Sequence, residues 1–243
     1  MIREIETHRI GGKAVNYQDV KKIFAPIFKS HGYTQLSNKR LYVKDKGFGF
    51  VVFEIAPARG FGFQLHGGVC FFWDNSNNYV LFKYYKGNGG VHGRPSGQTD
   101  LMVFEFPSFE KDLEYMISDL EKHFEFYEPL TLCGIEQDLA RRYESTGGYV
   151  FSQGDLGIVK LLLGKKEEGF AAMNRVSMMG DTLKDIFDHA EDYDVFCDYM
   201  VNHINESRER MSDVLKLKKR FPPLTLEQLM ELKTKTYAPT DAG

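Results

Sequence analysis

Disulfide chemistry is the first thing this chain has little material for. Its three cysteines, Cys70, Cys133 and Cys197, lie far apart, and no CxxC pair occurs. An odd number at such spacing does not make a disulfide framework. A surplus of charge is missing too. The net charge is −3, and a split after Leu130 leaves 16 Lys+Arg against 15 Asp+Glu in the first part and 15 against 19 in the second. Neither part has the basic excess that a phosphate backbone or an anionic membrane attracts, so neither nucleic acid nor a membrane is an expected partner. No apolar run approaches the roughly 20 residues of a membrane span. Met1-Ile-Arg-Glu-Ile-Glu leads into no apolar stretch of the kind a secretory leader carries. A reducing, cytoplasmic setting is the resulting expectation.

Familiar catalytic signatures are absent as well. The chain has no GxxxxGK[ST] or GxGxxG loop, no HExxH, no serine elbow and no kinase signature. No metal-ligand set and no cofactor motif stands out. The expectation therefore leans towards a protein that is not an enzyme, with no cofactor and no metal.

What the chain does have is aromatic residues, 20 Phe and 13 Tyr beside a single Trp. They concentrate in Phe48 to Trp73, where β-branched and aromatic residues dominate on either side of a break at Pro57, Arg59 and Gly60. That pattern predicts the central hairpin of an antiparallel sheet. Within it Phe48, Phe50 and Val52 alternate with Val51, Phe53 and Ile55, so both faces are apolar. A sheet with one wet face has no use for that pattern. The second face should be covered by a helical region or by another subunit, which would make a homodimer.

Around the hairpin the remaining elements read in order. Residues 1–15 suggest an edge strand or short helix through Ile2 and Ile5. Asn16 reads as the cap of a helix with Val20, Ile23, Phe24, Ile27 and Phe28 along one side, kinked or ended early by Pro26 and stopped by Gly32. Short strands follow at 33–36 and 40–44, and further strands are expected at 79–85 and 101–106. After Ser108 a helix carries Leu113, Ile117, Leu120 and Phe124.

Beyond Pro129 only helical patterns remain. Thr131 should cap the first of these, which Gly147-Gly148 ends. Ser152 and Asp155 have the spacing of a capping box, as do Thr225 and Gln228. Leu163-Gly-Lys-Lys-Glu-Glu-Gly-Phe170 is similar to the helix–turn–helix join of a tetratricopeptide repeat, in which small residues let paired helices approach closely. No second copy follows, so a single helical hairpin is expected. Asp181 should cap a helix, and Thr236–Gly243 reads as a mobile tail.

The expected fold is thus α+β: an antiparallel sheet flanked by helices over residues 1–130, followed by an all-helical region over 131–243. Phe24-Ala-Pro-Ile-Phe-Lys-Ser-His-Gly-Tyr33, the basic hairpin to Tyr42 and the aromatic strands together resemble a bacterial family of uncharacterised proteins, domain of unknown function 4304, over roughly residues 17–130. The resemblance implies an α+β domain and brings no catalytic residues with it.

Four residues are candidate ligand contacts. His66 shares one side of a strand with Cys70, as a metal site or a nucleophile and base would. Their Cα atoms would be about 13 Å apart on a strand, however, and free cysteine usually fills core space. His92 and Arg94 lie in the polar loop 86–100, whose five glycines could turn backbone N–H groups towards an anion. A plain hairpin loop has the same composition. Trp73 could anchor a partner or simply cover the rim of the core.

The acidic run Asp181, Asp185, Asp188, Glu191, Asp192, Asp194 and Asp198 lacks the spacing of a calcium loop and reads as a solvated helix face. Three functions follow, in order: a non-enzymatic protein-interaction factor of the immunity or antitoxin kind; a small-molecule binder with a pocket between the sheet and the helix after Ser108; and a hydrolase or transferase built on the 86–100 loop.

Overall fold

The computed structural model describes residues 9–10, 13–14, 17–36, 40–57, 63–73, 109–146, 150–176, 179–214, 217 and 220–234. They form an α+β protein with a four-stranded antiparallel sheet and eight α-helices among the described residues. The chain divides into two compact units. One comprises Met1–Phe71, Asn78–Glu128 and Val214–Lys219, and the other Phe72–Asn77, Pro129–Asp213 and Arg220–Gly243. The main crossover falls between Glu128 and Pro129, and two short segments are exchanged besides. The expected strands at 79–85 and 101–106, the loop 86–100 and the tail Thr236–Gly243 lie outside the described residues.

In the first unit, β1 (Arg9–Ile10) and β2 (Lys13–Ala14) pair as a small ladder of their own. Helix α1 (Tyr17–Ser30) follows and buries Val20, Phe24 and Phe28 at i, i+4, i+8. Pro26 does not end the helix. Pro26 stands on the exposed side and the helix continues past it to Ser30. The stop comes at Gly32, whose φ of 81° is a left-handed conformation that glycine adopts without penalty. Tyr33 N–H then reaches back to the Phe28 carbonyl at 2.9 Å, and Gly32 N–H to that of Lys29 at 3.0 Å, which closes the helix end.

The chain enters the sheet directly from there. Its order is β3 (Thr34–Gln35), β4 (Leu41–Asp45), β5 (Gly49–Pro57) and β6 (Phe63–Phe71), antiparallel throughout. The Asp45 carboxylate accepts the Gly47 N–H at 2.7 Å and fixes the turn between β4 and β5.

Helix α2 (Phe109–Tyr127) packs against β6. Two lysines next to one another in the fold finish both helices. The Lys44 ammonium donates to the His31 carbonyl at 2.7 Å, just past the end of α1, and that of Lys46 to the Glu128 carbonyl at 2.6 Å, just past the end of α2. Carbonyls left over at a helix C-terminus favour such cations.

On the helix side of the sheet the space is filled by rings. The Phe53 ring lies 5.3–5.8 Å from those of Phe28, Tyr33, His123, Phe124 and Tyr127, most of them edge-on. Tyr42 stacks on Phe28 at 3.9 Å. On the opposite face Val43, Phe50 and Val52 are also fully buried. Both faces are therefore covered within one chain, and the apolar second face needs no other subunit to close it.

The second unit is all helix among its described residues: α3 (Leu132–Thr146), α4 (Val150–Leu162), α5 (Lys166–Met173), α6 (Asp181–Asp188), a single 3-10 turn (His189–Glu191), α7 (Tyr193–Val214) and α8 (Leu226–Thr234). Thr131 caps α3 by accepting the Gly134 N–H at 3.1 Å. Thr225 and Gln228 exchange side-chain and backbone bonds of 3.0 and 3.2 Å at the start of α8, the reciprocal box expected there.

Two other expected caps are corrected. Helix α4 begins at Val150, so Ser152 and Asp155 lie inside it. Gly180, not Asp181, occupies the cap of α6 and makes no side-chain bond there, while Asp181 is the first helical residue. Asp192 instead caps α7, taking the N–H groups of Asp194 and Val195.

The expected helical hairpin is α4–α5. A side chain on Gly157 would come 3.3 Å from the Gly169 carbonyl, and one on Gly169 would come 3.2 Å from that of Gly157, so two hydrogens replace two side chains where the helices touch. The buried Glu136 carboxylate on α3 holds both Lys160 and Lys165 of this hairpin, at 3.3 and 2.7 Å.

Candidate functional site

The four residues singled out in the sequence do not form a site together. His66 takes its place on β6 opposite Glu54, and Cys70 stands opposite Phe50 on the same strand. Cys70 is buried, as core filler would be. Burial raises the Glu54 carboxyl above its ordinary value, against the pull of Arg40.

Trp73 belongs to the second unit and is 1% exposed. Its indole N–H donates to the Asp155 carboxylate at 2.9 Å, which gives Asp155 a tertiary role in place of the capping role its spacing suggested. Phe72 beside Trp73 lies under the Arg208 guanidinium at 5.0 Å. His92 and Arg94 lie outside the described residues.

Two other groupings do come together. The first is on α2. Asp119, His123 and Tyr127 follow one another at i, i+4, i+8, beside the apolar stripe of Leu120 and Phe124. Asp119 is 5% exposed. His123 Nδ1 lies 2.7 Å from the Asp119 backbone oxygen and 3.5 Å from its carboxylate. The carbonyl can only accept, so Nδ1 carries the proton and donates it there. The imidazole edge rests on Gly67, where an added side chain would come 2.9 Å from His123 Cδ2 and 2.7 Å from Phe53 Cε1. The Tyr127 hydroxyl donates to the Gly67 carbonyl at 3.1 Å. Burial pushes the Asp119 carboxyl from its ordinary 3.8 up to about 7, against Lys122. Burial also lowers the His123 imidazole, against its bond to the Asp119 backbone. The geometry can hold or release a proton, and no nucleophile stands beside it among the described residues.

The second grouping is the acidic run, now placed over α6, the 3-10 turn and the first half of α7. All seven carboxylates are exposed. Within the same span a stack of rings rises from the helices. His189 lies on Tyr199 at 4.0 Å, and Tyr199 faces His203 at 5.7 Å, with near-parallel planes. The Tyr199 hydroxyl donates to Asp185, and burial together with this pairing raises its pKa. The His203 imidazole is lowered by burial, and its Nε2 is buried without a hydrogen-bond partner. Val195, in the middle of the run, is 52% exposed, the most of any large apolar residue among those described.

Among the described residues no three His, Cys, Asp or Glu side chains are grouped as a metal site would group them, and no helix is long and apolar enough to cross a membrane. Sequence reasoning passed over Asp119 and His123. Their i, i+4 spacing next to the Leu120–Phe124 stripe was the available signal. Comparison of the chain with family models, with curated proteins and with solved structures gives no match in any of the three.

Proposed function

We propose that the protein acts by binding another protein, and that the acidic surface of α6 and α7 is where a basic partner docks. The observation that carries this reading is the charge placement. Between residues 181 and 198 seven exposed carboxylates stand against the single Lys184. Some of them cost the free protein stability. Asp181 and Asp185 are like charges at i, i+4, as are Asp194 and Asp198, and each such pair opposes its helix by about 0.2–0.5 kcal/mol. Asp181 and Asp194, in first turns, recover part of this from the helix dipole. A cationic partner would relieve the repulsion and be steered by it, and Val195 offers that partner an apolar contact inside the charged ring.

The role suits a factor of the immunity or antitoxin kind, which works by occupying another protein's surface. The resemblance of residues 17–130 to domain of unknown function 4304 adds no activity that would compete with it.

The test is affinity capture from the native host with the wild-type chain and with a variant carrying Asp188→Lys, Asp194→Lys and Asp198→Lys, each at low and high salt. A stoichiometric basic protein should be retained by the wild type at low salt, and lost from the variant and at high salt. Equal retention by both chains, or recovery of a metabolite with no protein, would overturn the proposal.

A further inference from the structure

We propose that Asp119 and His123 form a proton-operated latch that sets how firmly α2 is seated on the sheet. The Asp119 carboxyl has no donor within hydrogen-bonding distance among the described residues. His123 Nδ1 at 3.5 Å is its one ion-pair contact, and that nitrogen is already committed to the Asp119 backbone oxygen. A carboxylate in this position is a charge 5% exposed to water with no protein donor closer than His123 Nδ1 at 3.5 Å, whereas a neutral carboxylic acid carries no charge to desolvate. His123 has the converse constraint. Its ring is set among Phe53, Tyr127 and Gly67, where a neutral imidazole packs and an imidazolium would lose its water.

The charged neighbours do not cancel either cost. On α2 itself Lys122 draws Asp119 towards ionisation, but Lys122 is exposed, as are Glu121 and Glu125. On the face that meets α2, β6 presents Leu65, Gly67, Val69 and Phe71 and β5 presents Val51, Phe53 and Ile55, with no titratable group between them. His66 and Glu54 hold register positions on the other face. β1, which also packs on α2, has Arg9 as its only charged residue, and α1 meets Phe124 through Phe28 and, just past its end, through the His31 ring at 3.8 Å. His31, Lys44 and Glu128 form their own cluster past the end of the helix.

The neutral pair therefore seats α2 best. Asp119's contribution is fully present below its ordinary pKa and is lost as pH rises through about 7. His123's contribution is present above the ordinary imidazole range and is lost as pH falls below it.

The test is amide hydrogen exchange of the full chain, corrected for intrinsic rates, at about pH 6 and about pH 8.5. In the wild type the amides of residues 117–127 should lose at least about tenfold of their protection at the higher pH, while those of α7 do not change. Asp119→Asn should abolish the loss. An equal loss in wild type and Asp119→Asn would overturn the proposal. Should the variant not fold, carbon-13 titration of the Asp119 carboxyl in the wild type decides. A midpoint near neutrality supports the latch, and one in the ordinary carboxylate range removes it.

Discussion

The two units treat their buried carboxylates differently. In the helical unit the buried Glu136 carboxylate is met by Lys160 and Lys165. In the sheet unit the one buried charged residue among those described, Asp119, meets only His123 Nδ1, at 3.5 Å. Buried ions with well-placed partners are what a stable fold tolerates, and a carboxyl without them is a cost the rest of the unit must cover. The sheet unit covers it with rings around Phe53. The helical unit relies on caps, ion pairs and a close glycine contact, and it leaves its unpaired carboxylates in water on α6 and α7. The difference separates charge that holds the fold from charge that can respond to a proton or a partner.

Trp73, the only tryptophan, belongs to the helical unit. Its fluorescence reports that unit, and hydrogen exchange on β5 and β6 reports the other. The largest expected effect is Phe53→Ala, which removes the ring at the centre of the aromatic cluster. It should cost about 3–5 kcal/mol, read as lost protection in β5 and β6. A loss of Trp73 signal at the same denaturant concentration would show that the two units unfold together.

Asp119→Asn should come next, and its effect depends on pH. It should be near neutral at pH 4 and increasingly stabilising up to about pH 7, reaching about 4 kcal/mol at most, because only the wild type must then ionise a buried carboxyl. Chemical denaturation across that range measures it. Gly67→Ala forces a Cβ against the Phe53 and His123 rings and should cost about 1–3 kcal/mol. Thr225→Ala removes one half of the α8 box and should cost about 1 kcal/mol, read by thermal unfolding. Smallest of all is Asp194→Lys, which should change stability by no more than about 0.5 kcal/mol while removing binding of a basic partner. A large stability change there would mean that the carboxylate serves the fold instead.

How legible each unit was in the sequence follows from how local its physics is. The hairpin of β5 and β6 could be read because aromatic and β-branched residues alternate without interruption on both sides of a Pro and Gly break. The Thr225–Gln228 box and the Thr131 cap could be read because both partners lie within one turn. Ser152 and Asp155 had the right spacing for a cap and the wrong place. Asp155 is taken by Trp73, 82 residues away in sequence, and no local rule reports that. Pro26 does not end α1 for a related reason, since burial of Phe24 and Phe28 on either side holds the helix together through it.

Asp119 and His123 were hidden by composition. A polar pair one helix turn apart on a charged helix reads as solvated, until β6 is seen to offer a glycine where the imidazole must fit. His66 and Trp73 were singled out for their chemistry, and the fold assigns them to different units.

The most direct measurement is hydrogen exchange of the full chain alone and with its captured partner bound. Protection gained over residues 181–198, with the β5 and β6 amides unaltered, is the expected result. Protection gained on the sheet unit, or none at residues 181–198, would contradict the division of roles between the two units.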